Sequence, residues 1–525
     1  MPETVYSGLD LARPTHFTAL LAGLFLIAMG GSAAAAHRER AGTPDAGATS
    51  PDASAENGTS SSESSQQPAA DTTSPPDLIA PSNEATTGMA EPAPEAFKLN
   101  GYVRGDMYIG KVTGIRQSEI KAGYGEAALI ARTKKEHLGD GFAELRLRYG
   151  MQGETQQQAI VDVREAYVNT YVGPVDLRLG KQIVVWGRAD LLNPTNNLTP
   201  NSFRNRSPIE DDRRLGNVGA RAFLRLSPVR VEGVWMPMYV ANELPPIDLP
   251  LYVSYGDPTY PKAQLDQGLL AGRVHLELPG VEMSASYLHG YAPMPGLTLV
   301  SDKVDLDNPS IVISRTAYKQ QVVGFDFSTA LEDLLAIRGE AAYRRPYHYK
   351  APDDDYETDH YIAKPDLQYA LGVDHTFGSV SVIAQYLGRY VFDWEKEKGA
   401  TGGLDSSYLK KDPSLDIVVN SAPLQIRREL AQTSQILYSQ TKQIQHLATV
   451  RVEWLTAHDT LSISALGMVN FTTKEWMAAP KMGYHLSDSL IAYVGAEILT
   501  GPKDTLFGMV DQKLSAGYAE LRSTF

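Results

Sequence analysis

The chain of 525 residues contains no cysteine. That absence excludes a disulfide framework, a thiolate metal site and a lipidated N-terminal cysteine. The chain also lacks any apolar run of the roughly 20 residues that a membrane-spanning helix requires. The nearest candidate, Phe17 to Met29, has the length of the apolar segment of a signal peptide. Ala34, Ala35 and Ala36 follow and supply small residues for cleavage after Ala36, so residues 1–36 are read as a signal peptide. An anchoring helix is the alternative. Arg13 is accompanied by Glu3 and Asp10, an unusual and long leader whose true start can lie downstream.

Basic residues are the minority, 48 against 62 acids, and the net charge is -14. No nucleic-acid partner is expected from such a balance. Much of the deficit sits in residues 37–96, where ten acids face two bases within an Ala, Ser, Thr, Pro and Gly background. A segment so poor in large apolar residues cannot bury a core and is expected to be a disordered acidic linker. Residues 97–525 are nearly balanced in charge.

From residue 97 onward, period-two alternation recurs almost without pause. Leu99, Val103, Met107 and Ile109 alternate with Asn100, Arg104, Asp106 and Tyr108. Ala143, Leu145, Leu147 and Tyr149 alternate with Glu144, Arg146 and Arg148, and Val450 and Val452 with Arg451 and Glu453. Successive side chains of a strand point to opposite faces, so each segment has one apolar and one polar face. Soluble antiparallel sheets alternate too, but many of these segments reach about ten residues or more, the length of a membrane strand. Tyrosine (27) also outnumbers phenylalanine (13), which suits interfacial girdles where a ring meets lipid and its hydroxyl meets water.

Tight turns are expected at Leu138–Gly141, Gly173-Pro174, Ser227-Pro228, Pro279-Gly280, Leu331–Asp333, Phe377–Ser379, Ala457–Asp459 and Ser487–Ser489. Most connections between them are longer and polar. Short turns on one side and long loops on the other are the layout of transmembrane barrels. The expected fold is all-β: an antiparallel up-and-down transmembrane barrel over residues 97–525 with about 18 strands. Sixteen is the alternative, because the pattern near residues 470–485 is weak. An even count puts both ends in the periplasm. In the long loop 393–440, Ile426, Leu430, Thr433 and Leu437 recur at helical spacing, with Ser421 and Pro423 as expected cap and first-turn proline. The expectation there is a solvated external helix, with insertion into the barrel mouth as the alternative.

In such a barrel the charged face lines the lumen. The candidate pore-lining residues are Glu144, Arg146, Arg148, Asp176, Arg178, Arg221, Arg225, Arg338, Glu340, Arg451, Glu453, Glu520 and Arg522; Arg230, Glu232, Arg273 and Glu277 share the pattern. Facing lipid, each base would cost about 2–4 kcal/mol at the midplane. Facing water, the same ladders either orient a solute by a transverse field or form a salt-bridged wall. The loop 188–215 is a candidate constriction, with Trp186, Arg188, Asp190, Glu210, Asp211, Asp212, Arg213 and Arg214; an external loop packed on its neighbours is the alternative. The three contiguous acids lack the alternating spacing of a calcium loop. Lys181 would face lipid if alternation continued from Leu179, so a register-flipping bulge is expected at Gly180. No metal or cofactor is expected.

The final strand ends on Phe525, with Leu521 and Ala519 alternating against Arg522 and Glu520. This resembles the closing strand of Gram-negative outer-membrane barrels, where a terminal aromatic is the signal read by the barrel assembly machinery. Arg164-Glu165-Ala166-Tyr167, then Leu177-Arg178-Leu179-Gly180-Lys181-Gln182, then Trp186-Gly187 resemble a progression shared by porin-like proteobacterial outer-membrane barrels of uncertain substrate. The resemblance covers about a quarter of the chain. It implies outer-membrane lipid as surroundings and a small solute as cargo, in a monomer or a trimer. The leading expectation is a diffusion channel for small polar or amphipathic solutes, not an enzyme. A structural or assembly barrel and a barrel-embedded hydrolase built on His275, His289, His375 or His446 are the alternatives.

Overall fold

The computed structural model describes residues 97–111, 117–135, 139–152, 157–202, 205–243, 253–303, 310–331, 335–347, 360–396 and 415–525. The expected signal peptide (1–36) and acidic linker (37–96) lie outside the described residues.

The strands are β1 (Phe97–Lys111), β2 (Ser118–Lys135), β3 (Gly139–Gln152), β4 (Gln158–Val172), β5 (Val175–Gln182), β6 (Asn217–Leu226), β7 (Val229–Met236) and β8 (Val253–Tyr255). Next come β9 (Leu269–Leu278), β10 (Val281–Tyr291), β11 (Gly296–Lys303), β12 (Ser310–Thr316), β13 (Lys319–Leu331), β14 (Leu335–Pro346), β15 (His360–Tyr361) and β16 (Asp366–Phe377). The series ends with β17 (Val380–Val391), β18 (Ile444–Thr456), β19 (Leu461–Asn470), β20 (Glu475–Ser487), β21 (Leu490–Thr500) and β22 (Ala516–Thr524). Two helices are described, α1 (Leu415–Leu437) and α2 (Leu506–Leu514).

Eighteen strands, all but β8, β11, β12 and β15, form one sheet in which neighbours pair antiparallel in chain order. β1 pairs with β22 from Tyr102↔Thr524 to Gly110↔Ala516, which closes the ring. Closure leaves no sheet edge, so every wall strand finds backbone partners on both sides. Short connections fall at Gly173-Pro174, Ser227-Pro228, Pro279-Gly280, Phe377–Ser379, Ala457–Asp459 and Ser487–Ser489, as the sequence places them. The turn expected at Leu138–Gly141 is displaced, because Gly139–Gly141 already belong to β3, and residues 136–138 and 332–334 lie outside the described set. The sixteen-strand alternative fails because β19 and β20 are complete, with ten and thirteen residues.

Alternation sets which face each residue shows. On β1, Leu99, Val103 and Met107 are exposed at 54%, 51% and 46%, while Arg104 and Asp106 between them are buried. Val161, Val168, Val323, Leu371, Val450 and Leu521 repeat the exposed apolar row on other strands. A monomer in water rarely shows contiguous apolar patches beyond a few hundred Å². A belt of valine and leucine around a closed barrel is stable against hydrocarbon, and this wall is built for a membrane.

The chain ends at the seam. Gly101 and Phe525 exchange backbone hydrogen bonds of 2.9 and 3.0 Å. The Phe525 ring lies over Gly101, at 2.6 Å from where a Cβ would stand. Deleting Phe525 therefore removes one rung of the closing ladder and the ring that covers the glycine. The expected outcome is a lower yield of folded, heat-modifiable barrel with unchanged conductance per channel; normal yield would count against a role in assembly.

The loop end carries its own small fold. β8, β11, β12 and β15 form a four-stranded sheet, and Leu297, Leu299, Ile311 and Ile313 from it pack with Leu430, Leu437 and Tyr438. α1 is thus not a solvated helix: its face bearing Leu430, Thr433 and Leu437 is buried. It also begins at Leu415, so Pro423 lies inside the helix and does not open it. Proline there removes one backbone donor, and burial of the downstream face offsets the loss. The expected bulge at Gly180 is misplaced. Pairing of β5 with β4 and β6 runs unbroken through Gly180, and the shift lies between β3 and β4, where Arg164 is the extra residue. Lys181 is a third exposed, with its Nζ 3.4 Å from Asp162.

Candidate functional site

β5 and β6 are neighbours, and Gln182 is directly paired with Asn217. The 34 residues between them, 183–216, could have closed as a short hairpin. Instead they run across the inside of the ring. Asp212 accepts from Arg104 of β1 at 2.6 Å and from Arg146 of β3 at 2.9 Å. Arg188 donates through Nε to Asp326 of β13 at 2.8 Å and through Nη1 to Glu282 of β10 at 2.7 Å. β1 and β13 stand nine places apart in a ring of eighteen, on opposite walls. A connection bonded to side chains on opposite walls of a closed barrel must pass through its lumen. Further anchors fill in the circuit: Trp186 Nε1 to Glu232 of β7 at 2.9 Å, Arg451 of β18 to Asp190 at 2.7 Å and to Glu210 at 3.1 Å, and Arg213 to Glu497 of β21 at 2.5 Å.

Local sequence explains how the segment enters. Gly187 has φ +98°, and a Cβ there would stand 1.9 Å from Oδ1 of Asn193. Only glycine tolerates that conformation and that approach. Asn193 then folds the next turn, its Oδ1 accepting from Asn196 N at 3.2 Å and from Thr195 Oγ1 at 3.2 Å. Glu340 of β14 caps the same turn. It takes the backbone N–H groups of Arg188 at 2.8 Å, Ala189 at 3.1 Å and Thr195 at 2.9 Å.

Apolar contacts hold the segment as well. Val184, Trp186 and Leu198 pack with Val234, Met236, Leu288, Val322 and Ala342 of the wall. Ala189 and Leu191 join a second cluster with Leu387, Leu447, Leu466, Met468 and Leu499, covered by Phe507 and Val510 of α2. The inner face is therefore apolar where the segment and α2 meet it, a departure from the expectation of a uniformly charged lumen. α2, capped by Thr505, was not expected from the sequence, because nine residues give too short a run to separate helical from strand periodicity.

The charged residues expected in the lumen divide into three groups. Glu144, Arg146, Arg148, Glu520 and Arg522 join Arg104, Asp106, Glu126, Arg164 and Asp212 in one network of five guanidiniums and five carboxylates. Most of it is closed to solvent, with side-chain exposure of 0% at Arg104, Asp106 and Glu126. Glu340 and Arg451 anchor the segment, as described. Of the rest, Arg221 shares Glu232 with Trp186 of the segment, and the others lie toward the turns. Arg221 bonds Glu232 at 2.8 Å, Arg338 lies 3.2 Å from Asp374, and Arg225 is ion-paired with Asp176. Arg178 stacks 4.2 Å over Tyr167, and Glu453 is half exposed 4.0 Å from Arg451. Arg230, Glu277 and Arg273 pair along the same wall, Arg230 with Glu277 at 3.2 Å and Arg273 with Asp326 at 2.8 Å.

The three contiguous acids diverge. Glu210 meets Arg451, Asp211 meets Arg214 at 3.0 Å, and Asp212 meets Arg104 and Arg146. Burial alone would raise the Asp212 carboxyl, but Arg104, then Arg146 and Arg164, outweigh it and hold it well below the carboxylate range. At Asp190 the balance reverses: burial raises the carboxyl and Arg451 only partly opposes it. Glu126, Asp326, Glu282 and Glu497 were not singled out from the sequence. Asp326, Glu282 and Glu497 are each the lone acid among apolar or small neighbours on their strand, and such inward singletons are the signal that marks an anchor, whereas Glu126 holds Tyr102, Arg104 and Arg148 of the wall.

Solved structures with a similar barrel include OccK8 (OprE) of Pseudomonas aeruginosa, 11% identical with a TM-score of 0.46, over 82% of this chain and 98% of that one. A BenF-like porin from Pseudomonas fluorescens Pf-5 is 10% identical with a TM-score of 0.44, over 82% and 98%. OccAB4 of Acinetobacter baumannii is 10% identical with a TM-score of 0.43, over 82% and 97%. No curated protein matches the chain. A family model described as "Protein of unknown function (DUF1302)" matches residues 16–407, and the chain belongs to that family.

Proposed function

We propose that this protein is a passive channel of the Gram-negative outer membrane, through which small polar or amphipathic solutes diffuse past the segment 183–216. One observation carries the reading: a long connection is held across the inside of a closed, lipid-facing barrel by fixed polar contacts on opposite walls. A barrel that only anchored or sealed would have no use for a fixed cross-piece inside it. A water-filled bore narrowed by such a piece selects solutes by width and by the groups lining it. In this reading the leader 1–36 directs export, residues 37–96 form an acidic tether, the short turns face the periplasm and Phe525 is read during assembly. Monomer and trimer both accommodate it.

The test is conductance. Purified full-length protein added to a planar bilayer is expected to give discrete, ohmic current steps. A silent membrane with correctly folded protein would favour the structural or assembly reading. Silence together with turnover of lipid or peptide would favour the hydrolase.

A further inference from the structure

A cavity of about 100 Å³ opens where the segment, the wall and the roof of the loop end meet. Its wall side is cationic. Arg344 of β14, Arg389 of β17 and Lys364 face it, against one carboxylate, Asp366 of β16. Asp366 is fully buried and already engaged, accepting from Arg344 at 2.7 and 2.5 Å and lying 3.4 Å from Arg389. One carboxylate between two guanidiniums leaves a positive excess, and Lys364 adds to it. The Lys364 backbone is fixed by Gln440, which both accepts from its N–H and donates to its carbonyl at 2.8 Å. Among the described residues, the Lys364 amine has no hydrogen-bond acceptor.

The opposite side is neutral and amide-rich, with Asn193, Asn196, Asn197 and Asn201 of the segment. Two of their polar atoms are buried without partners: Nδ2 of Asn193, a donor, and Oδ1 of Asn196, an acceptor. These two atoms lie beneath the surface, so what the cavity itself meets on this side is a neutral row of four amide-bearing residues opposite the positive charge.

We infer that this cavity is a binding subsite for a small carboxylate that carries several hydroxyl groups. The carboxylate meets Arg344, Arg389 and Lys364; the hydroxyls, which both donate and accept, satisfy the amides. A cation is repelled here. Inorganic phosphate offers the charge but not the row of hydroxyl donors. The inference rests on the channel reading of the preceding subsection and names the solute class for it.

The experiment uses the full-length channel in a planar bilayer in KCl, with potassium gluconate, sorbitol or potassium phosphate added on the loop side. Gluconate is expected to interrupt the current in a concentration-dependent way, with sorbitol and phosphate much weaker. Lys364→Glu is expected to weaken the gluconate block by about tenfold or more, and Lys364→Arg to retain it. If gluconate and sorbitol act alike, or phosphate matches gluconate, the subsite assignment fails while the channel stands. A silent membrane removes the channel reading and the subsite with it. The wild-type comparison decides the matter even if Lys364→Glu fails to fold.

Discussion

Replacing residues 183–216 by a short link is expected to raise single-channel conductance roughly threefold or more, because a barrel of this strand number otherwise encloses an open aqueous bore. The replacement is geometrically simple. Gln182 and Asn217 are already paired neighbours, so about four residues close the hairpin. The wall does not need the segment for its own hydrogen bonding, since β5 pairs with β4 and β6 over its whole length. Asp326, Glu340 and Glu232 would lose their segment partners but would then face water, where an unpaired carboxylate costs little. Folding is checked by heat-modifiable migration. Unchanged conductance in a folded variant would mean that the segment does not narrow the path.

The second large effect concerns two adjacent acids. Asp212→Ala leaves Arg104 and Arg146 buried without their shared carboxylate, and breaking a buried pair by removing one partner costs about 3–5 kcal/mol. Asp211→Ala removes a largely buried contact with Arg214 within the segment and leaves the segment's links to the wall in place. The expected result is a marked fall in the unfolding temperature and a flickering current for Asp212→Ala, with a smaller fall and a steady current for Asp211→Ala. Equal behaviour would contradict the anchoring described here. The pH dependence has a definite sign. The Asp212 carboxyl is depressed, so its stabilisation is complete above the ordinary carboxylate pKa and is lost only as pH falls through the lower folded value. Asp190 is raised and takes up its proton first, so on acidification the contact with Arg451 weakens while the contact with Arg104 persists. A variant with Asp190→Asn is therefore expected to remove the earlier of two acid transitions in channel noise.

How much of this was legible in the sequence follows from the range of the forces involved. Alternation is local: Leu99, Val103 and Met107 against Arg104 and Asp106 announce a two-faced strand with no knowledge of any other residue. Turns such as Gly173-Pro174 and Ser227-Pro228 are local as well, and so the strand count and pairing could be read directly. The site is different in kind. Arg146 and Arg148 read as one polar row, yet Arg146 grips Asp212 while Arg148 reaches Glu126 and Asn205. Nothing within a few residues of Arg188 indicates that its partners are Asp326 and Glu282, far along the chain. The Pro and Asn content of 188–215 marks an irregular connection but cannot tell outside from inside. Pro423 is a related case, because the helix begins at Leu415 and its downstream face is buried, neither of which shows in the residues next to the proline.

A channel of this build requires that the exposed apolar rows meet hydrocarbon while the inner rows and the segment meet water. The absence of cysteine makes it directly testable, because each engineered thiol is then the sole one in the chain. In reconstituted membranes, Val161→Cys and Val323→Cys are expected to resist a water-soluble thiol reagent, whereas Glu453→Cys and Glu282→Cys, half-exposed on the inner side, react. Uniform reactivity across all four positions would contradict the membrane barrel, and unreactive Glu453→Cys and Glu282→Cys would contradict a hydrated path through it.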